Sequence, residues 1–430
     1  MKLVIIAGGK GTRLGLEDIP KPMVKLDGIP LLEHQINLAK RYEIKEIFIL
    51  SGHLSEVIMD YFGNGEKFGV NITHIVEPSP LGTAGSMKLL ENLIDERFIV
   101  FYGDVVMDFD IYSFIDFDKK HPHSLASIIV HPNDHPYDSD LVEMDKENRV
   151  VKFHPKPHSP HLYYSNIVNA AVYILSPEIL KYIPTNESTD FGKHIFPKII
   201  KEGEKVYAYK TPEYIKDIGT LDRLGKAEGD FVSGKISRLN KNNKRKAVFL
   251  DRDGVINIEK GNLSNIDEFE LLDSVEEAVK KINKSEFLAV LITNQPVIAK
   301  GMLSEGGLLQ IHKKMETLLG NKRAYLDEIY FCPHHPDKGF DGEVKELKID
   351  CECRKPKPGM LLTASKSLNI DLEHSWMIGD REIDLLAGKN AGCKTVHLSN
   401  NPIKSEHADV QCNNLLEAVD FIQKNAGLKI

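Results

Sequence analysis

Cysteine is scarce in this chain, five in 430 residues, which excludes a scaffold built on disulfides. Long apolar runs are missing too: none approaches the roughly 20 residues needed to cross a bilayer. The opening Met1-Lys-Leu-Val-Ile-Ile-Ala7 stops at Gly8-Gly9-Lys10, shorter than the core of a secretory signal. Positive charge is in deficit, with 55 Lys and Arg against 63 Asp and Glu, and the net charge of -8 argues against nucleic acid as a bulk electrostatic partner. No internal repeat at solenoid spacing and no low-complexity tract is found. These absences predict a cytoplasmic protein with small anionic substrates and neither a membrane nor a nucleic-acid partner. A homo-oligomer is compatible with all of them.

What is present is length and alternation. The chain exceeds what one hydrophobic core supports, so two domains are expected. From Met1 to about Leu224, short apolar strands such as Ile44–Leu50 and Phe98–Tyr102 alternate with amphipathic stretches such as Leu31–Arg41, the α/β pattern of a mostly parallel sheet. Lys235-Ile-Ser-Arg-Leu-Asn-Lys-Asn-Asn-Lys-Arg-Lys246 interrupts it with a basic run lacking periodicity. The run reads as a linker over 235–246 between domains at 1–234 and 247–430. Beyond it the alternation restarts, with strands at Ala247–Leu250, Phe287–Thr293 and Ser375–Ile378 and a helix at Ser274–Asn283.

Asp251 and Asp253 stand two apart at the end of an apolar strand, so their side chains tend to the same side. An ionised carboxylate can attack phosphorus, but it repels a phosphate dianion unless a cation intervenes, so magnesium is expected. Taken alone, Asp-x-Asp reads better as a turn with a solvated acid pair. Three further segments follow in order: Leu291-Ile-Thr-Asn-Gln295, Arg354-Lys355 and Ile378-Gly-Asp-Arg-Glu-Ile-Asp384. Together they resemble the haloacid dehalogenase (HAD) superfamily of phosphatases over about Ala247–Cys412. The resemblance implies a Rossmann-like domain in which Asp251 is the nucleophile and Asp253 the general acid and base. It implies Thr293 and Lys355 on the phosphoryl oxygens, and Asn294, Gln295 and Arg354 near the substrate. Magnesium would be bound by Asp251, Asp253 and Asp380, with Asp384 orienting the site from outside.

Cys332-Pro-His-His335 and Cys351-Glu-Cys353 add two close ligand pairs. Thiolate and imidazole favour tetrahedral zinc, and four protein ligands make a structural site. Spacing leaves His334 and His335 interchangeable. The pattern resembles the zinc-containing subgroup that dephosphorylates D-glycero-D-manno-heptose 1,7-bisphosphate or histidinol phosphate, which implies Cys332, His334, Cys351 and Cys353 as ligands. Cys393 and Cys412 read as small buried hydrophobes.

In the first half, Gly8, Gly9 and Gly11 let backbone amides approach a triphosphate, and Lys10 and Arg13 add charge. The loop is not a Walker A, and Leu14 breaks Gly-x-Gly-x-x-Gly. With Lys21-Pro-Met23, Glu77-Pro-Ser-Pro-Leu-Gly-Thr-Ala-Gly85, Tyr102-Gly-Asp104 and Asp217-Ile-Gly-Thr220, the set resembles the sugar-1-phosphate nucleotidyltransferases, Rossmann-like domains with a mixed sheet. The resemblance implies Asp104 and Asp217 on magnesium, Arg13 and Lys21 on phosphate charge, and Gly8, Gly9, Gly11, Thr12, Glu77, Gly82, Thr83, Lys156 and Asn169 around the substrates. Pro80-Leu-Gly-Thr-Ala-Gly85 looks like the guanylyltransferase version, hence GTP. Two departures concern the sugar: Pro155 replaces the acid of Phe-x-Glu-Lys-Pro in Phe153-His-Pro-Lys-Pro157, and Ala171 replaces the glycine of Asn-Ala-Gly. A heptose is compatible with both.

Jointly the halves predict a bifunctional enzyme of GDP-heptose synthesis: the phosphatase leaves the heptose 1-phosphate that the transferase consumes. Two alternatives stand beside it. One joins the transferase to a histidinol-phosphate phosphatase, and the other makes the first half a non-catalytic sensor of sugar nucleotides.

Overall fold

The computed structural model describes residues 1–9, 18–159, 161–401 and 405–425. The chain forms two units: Met1–His131, Ser139–Pro157 and Ile167–Asn240 make the first, and Pro132–Asp138, His158–Asn166 and Lys241–Ile430 the second. Among the described residues no helix is long and apolar enough to cross a membrane.

The first unit holds strands β1 (Leu3–Ala7), β2 (Lys25–Leu26), β3 (Ile29–Pro30), β4 (Glu46–Ser51), β5 (Asn71–Val76), β6 (Phe98–Tyr102) and β7 (Val105–Asp108). Strands β8 (Ala126–His131), β9 (Leu141–Met144), β10 (Val150–His154), β11 (Val168–Leu175), β12 (Val206–Lys210) and β13 (Tyr214–Asp217) complete it. Nine of these form a mixed sheet in the order β10-β9-β11-β6-β1-β4-β5, with β8 pairing β11 and β12, while β7 and β13 pair separately. The central strands are apolar on both faces. Leu3, Ile5 and Ala7 of β1 enter one core and Val4 the other, as the two-residue period of a strand requires. The parallel register sets Ala7 beside Ser51 and Ile6 beside Tyr102, so Gly8, Gly52 and Gly103 follow three neighbouring strand ends.

The second unit is a six-stranded parallel sheet: β14 (Lys246–Leu250), β15 (Phe287–Asn294), β16 (Glu328–Cys332), β17 (Trp376–Gly379), β18 (Lys394–Leu398) and β19 (Val410–Cys412), ordered β16-β15-β14-β17-β18-β19. Leu250 pairs with Leu291 and Ile378, so the segments after β14, β15 and β17 leave the sheet side by side. That edge is where an open parallel sheet binds its ligand.

The expected strand at 98–102 and helix at 31–41 are observed as such, and the others shift by one or two residues. The two units divide inside the 235–246 run, between Asn240 and Lys241, although parts of the run are packed. Lys235–Arg238 is helical with Lys235 and Ile236 buried. Arg245 is buried with its guanidinium on the Leu368 carbonyl. Long basic side chains bury their methylene stems when the head finds an acceptor, which composition does not reveal. The second unit also takes in two segments of the first half. Tyr164 N donates to Thr317 Oγ1 at 2.9 Å and Asn166 N to Glu316 Oε1 at 3.2 Å, both acceptors lying on helix Glu305–Asn321.

Candidate functional site

Beyond the end of β14, Asp251 N donates to Ile378 O at 3.1 Å, which ties the aspartate to β17. Lys355 Nζ lies 2.8 Å from Asp251 Oδ1, 2.6 Å from Asp384 Oδ1 and 3.0 Å from the Ile292 carbonyl. Asn294 fixes the lysine's main chain by two 3.1 Å bonds, from Nδ2 to Lys355 O and from Lys355 N to Oδ1. The three charged groups are almost wholly buried. Removing Lys355 would strand two buried carboxylates, a change that costs about 3–5 kcal/mol. Burial opposes the Lys355 ammonium, but Asp251 and Asp384 outweigh it and hold its pKa above the usual value.

Asp251, Asp380 and Asp384 converge, with one carboxylate oxygen from each within 4.8 Å of the others. Burial and then Asp384 push Asp251 up to about 7. Burial and then Asp251 raise Asp380 to about 6. Asp380 Oδ1 is buried with no hydrogen-bond partner among the described residues. A hard divalent cation fits this donor set: it would satisfy that oxygen and favour the charged form of all three acids.

Asp253, expected as a third ligand, does not join them. Its carboxylate receives Arg252 Nη2 at 2.9 and 3.0 Å, Asn257 Nδ2 at 3.0 Å and Gln295 Nε2 at 2.9 Å. Burial alone would raise its pKa, but Arg252, Asn257 and Gln295 together hold it below the ordinary value. Asp384, expected to orient the site from outside, lies within this group, because helix Glu382–Ala391 presents it from its first turn. Thr293 Oγ1 accepts from Gln295 Nε2 at 2.8 Å, beside Asp253.

Cys332, His334, Cys351 and Cys353 form a second group. The sulfurs lie 3.5, 3.3 and 3.2 Å apart, and His334 Nδ1 is 3.6 Å from Cys332 Sγ and 3.3 Å from Cys353 Sγ. These distances are far beyond a disulfide bond of about 2.05 Å. They approach the edge of a tetrahedron, about 3.7 Å, built on Zn–S bonds of about 2.3 Å. His335 stays outside, its Nδ1 accepting from Asp337 N. Arg354 reaches back to the His334 carbonyl at 3.1 Å, joining the loop to the residue before Lys355.

In the first unit, Lys21 pairs with Asp104. Asp217 takes Arg223 Nη1 at 2.6 Å. The β7–β13 ladder sets Asp217 opposite Val105, and Ile218 N donates to Asp104 O at 3.0 Å, so the two acidic segments are neighbours. A Cβ on Gly8 would meet the end of the Glu77 side chain, which would have to shift; among the described residues no atom lies within 4 Å of a Cβ built on Gly9. Gly82 has φ +73 against the Thr189 carbonyl, and Thr83 Oγ1 donates to Asp190 Oδ2 at 2.8 Å. Asn169 N donates to Asp140 O at 3.1 Å and Lys156 N to Asp140 Oδ1 at 3.4 Å, so both gather around Asp140. Lys10, Gly11, Thr12, Arg13 and Leu14 lie outside the described residues.

The sequence matches the nucleotidyl transferase family over residues 2–233, more than half the chain, and a HAD-hydrolase-like family over 352–412. It is 44% identical over 183 residues, 42% of this chain and 96% of the relative, to D-glycero-beta-D-manno-heptose-1,7-bisphosphate 7-phosphatase of Pasteurella multocida. To the same enzyme of Escherichia coli K12 it is 40% identical, covering 94% of that protein. The chain belongs to the nucleotidyl transferase family and, in its second half, to the heptose-bisphosphate phosphatase family. Among solved structures it resembles HddC from Yersinia pseudotuberculosis, at 28% identity with 54% of this chain and 99% of that one covered and a TM-score of 0.47. It also resembles the D,D-heptose 1.7-bisphosphate phosphatase of B. bronchiseptica complexed with magnesium and phosphate, at 29% identity, 42% and 99% coverage and a TM-score of 0.36.

Sequence reasoning overlooked several residues of both units. In the phosphatase-family unit Arg252 is fully buried, and His312 Nε2 lies 3.5 Å behind its Nη1. Strand alternation carries a signal here: a residue between two same-side aspartates starts toward the opposite, core side. In the nucleotidyl transferase unit Asp140 and Asp190 contact motif residues distant in sequence, Lys156 and Thr83, whereas Arg223 lies just beyond the Asp217–Thr220 motif and only its contact with Asp217 marks it.

Proposed function

We propose that this protein catalyses two consecutive steps of GDP-D-glycero-D-manno-heptose synthesis. The phosphatase-family unit hydrolyses the 7-phosphate of the heptose 1,7-bisphosphate. The nucleotidyl transferase unit then joins GMP from GTP to the remaining heptose 1-phosphate and releases pyrophosphate. One observation carries the reading: a chain covering 96% of a heptose-bisphosphate phosphatase also holds a nucleotidyl transferase. The sugar 1-phosphate left by the first is the acceptor the second needs. GTP is preferred on the Pro80–Gly85 segment.

Asp251 attacks phosphorus and forms an aspartyl-phosphate, while Asp253, ionised in the free site, takes up a proton with the substrate, passes it to the leaving oxygen and later takes one from the attacking water. Lys355 and the Thr293 hydroxyl hold the phosphoryl oxygens. Arg252, Asn257 and Gln295 keep the Asp253 carboxyl in place. Magnesium held by Asp251, Asp380 and Asp384 would offset the repulsion between nucleophile and phosphate dianion. Zinc held by Cys332, His334, Cys351 and Cys353 would have no open position and would serve to shape the pocket beside Arg354. In the transferase, Lys21 and Arg13 stabilise phosphate charge, and Asp104 and Asp217 are the carboxylates for magnesium.

The test is to incubate the full chain with heptose 1,7-bisphosphate, GTP and magnesium and to look for GDP-heptose, with UTP, CTP and ATP in parallel. Asp251→Asn should stop phosphate release yet leave GDP-heptose formation from supplied heptose 1-phosphate intact. Asp104→Ala should do the reverse. Absence of GDP-heptose from either starting sugar would overturn the proposal.

A further inference from the structure

Helix Leu31–Arg41 sends one polar side chain into the interior of the nucleotidyl transferase unit. Gln35 is 1% exposed. Its Nε2 donates to two main-chain carbonyls, Tyr102 O at 2.9 Å and Val105 O at 2.7 Å. Those carbonyls flank Gly103 and Asp104. Tyr102 ends β6 in the nine-stranded sheet and Val105 begins β7 in the two-stranded one, so the chain changes sheet across these two residues. Asp104 stands at the change, with its carboxylate on Lys21.

The amide's orientation follows from its neighbours, since both are acceptors and only its nitrogen has protons to give. That choice leaves Gln35 Oε1 buried without a hydrogen-bond partner. Such an atom is uncommon in a folded protein, and an apolar residue would avoid it, as Leu32, Ile36 and Leu38 do on the same helix. The gain lies on the donor side. Gly103 N already donates to Ile6 O at 2.8 Å, and Asp104 O already accepts from Ile218 N at 3.0 Å. Gln35 adds a bridge between the carbonyls on either side of them, so one rigid fork spans the turn.

We infer that Gln35 is a positioning residue for nucleotidyl transfer, holding the Tyr102–Val105 turn so that the Asp104 carboxylate stays where a cation shared with the phosphates requires it. The inference rests on the reading of Asp104 as a metal-binding carboxylate. Without the fork the turn can re-pair, and Asp104 moves with it; a shift of about 1 Å at such a group can cost roughly 100-fold in rate.

The experiment uses the full chain with GTP, heptose 1-phosphate and a magnesium titration. Gln35→Leu removes both bonds and the unpaired oxygen while keeping the volume, and Gln35→Glu keeps the shape but replaces donor with acceptor. Phosphatase turnover and the melting transitions of the same samples report folding. Both variants should raise the magnesium concentration for half-maximal rate, or lower kcat, by roughly 10- to 100-fold, with KM for the sugar phosphate within about 2-fold. In an Asp104→Asn background, where the carboxylate is already lost, Gln35→Leu should add nothing further. Folded variants with wild-type magnesium dependence and wild-type kcat, or an equal further loss in that background, would overturn the inference. Absence of pyrophosphate release by the wild-type chain would instead sink the reading of Asp104.

Discussion

His312 is a buried imidazole behind the Asp253 clamp, and burial first, then Arg252, lower its pKa from 6.5 to about 3, against a smaller pull from Asp253. The unfolded chain therefore takes up a proton as pH falls through about 6.5, whereas the folded unit does so only near 3. The stability this neutral histidine contributes is complete above about 6.5 and is lost progressively toward pH 3, at about 1.4 kcal/mol per pH unit. The sole tryptophan, Trp376, is buried in the second unit, so its fluorescence follows that unit during urea unfolding. His312→Gln keeps an acceptor for Arg252 without the titration. It should lose about 2 kcal/mol less than wild type between pH 7 and pH 5. An equal loss in the two proteins would refute this account. The sequence shows His312 only as one histidine on a helix, since nothing local says that an arginine between two aspartates will lie against it.

At the level of elements, β11 carries the departure noted in the sugar-side motif. Ala171 has φ +58 within the irregular register between Asn169 and Tyr173. A non-glycine residue in that left-handed region costs about 1–2 kcal/mol. Ala171→Gly should relieve the strain and raise the first unit's stability by about 1 kcal/mol after the unfolded-state entropy of glycine is counted, measured by calorimetry of the full chain. A lower melting temperature would show that the methyl group earns its place by packing. The Cys332–Cys353 loop gives a second element-scale expectation. Stripping metal with a chelator, or Cys351→Ser, should lower the second unit's melting temperature and phosphatase turnover while leaving the first unit's transition in place. With magnesium supplied in every turnover assay after chelation, added zinc should restore both, and magnesium alone should restore neither.

For the whole molecule, the segments 132–138 and 158–166 fold with the second unit although the nearer of them ends 75 residues before its main stretch begins at Lys241. A fragment beginning at Lys241 leaves Thr317 and Glu316 without the Tyr164 and Asn166 amides. At about 1 kcal/mol per lost hydrogen bond, and about 2–4 °C per kcal/mol for a domain of this size, it should melt about 4–8 °C below the same unit in the full chain. Coincident Trp376 transitions would contradict that. The basic run 235–246 teaches the same lesson from the other side: its charge reads as solvated linker, and Arg238 and Lys244 are exposed, but Lys235 and Arg245 are buried, Arg245 with its guanidinium on a carbonyl.

The sequence by itself determined the two chemistries, because phosphate handling demands particular residue types at the ends of apolar strands, and the glycine loop, Asp251, Thr293, Lys355 and Asp380 are legible in that order. It also determined the alternation that builds both sheets. Only the tertiary structure decided which acids meet. Whether Asp253 or Asp384 faces Asp251, whether His334 or His335 joins the three sulfurs, and which helix braces Asp104 depend on strand register and long-range packing. Local spacing carries no record of those, since the contacting residues lie many turns of chain apart and are brought together by burial of the core.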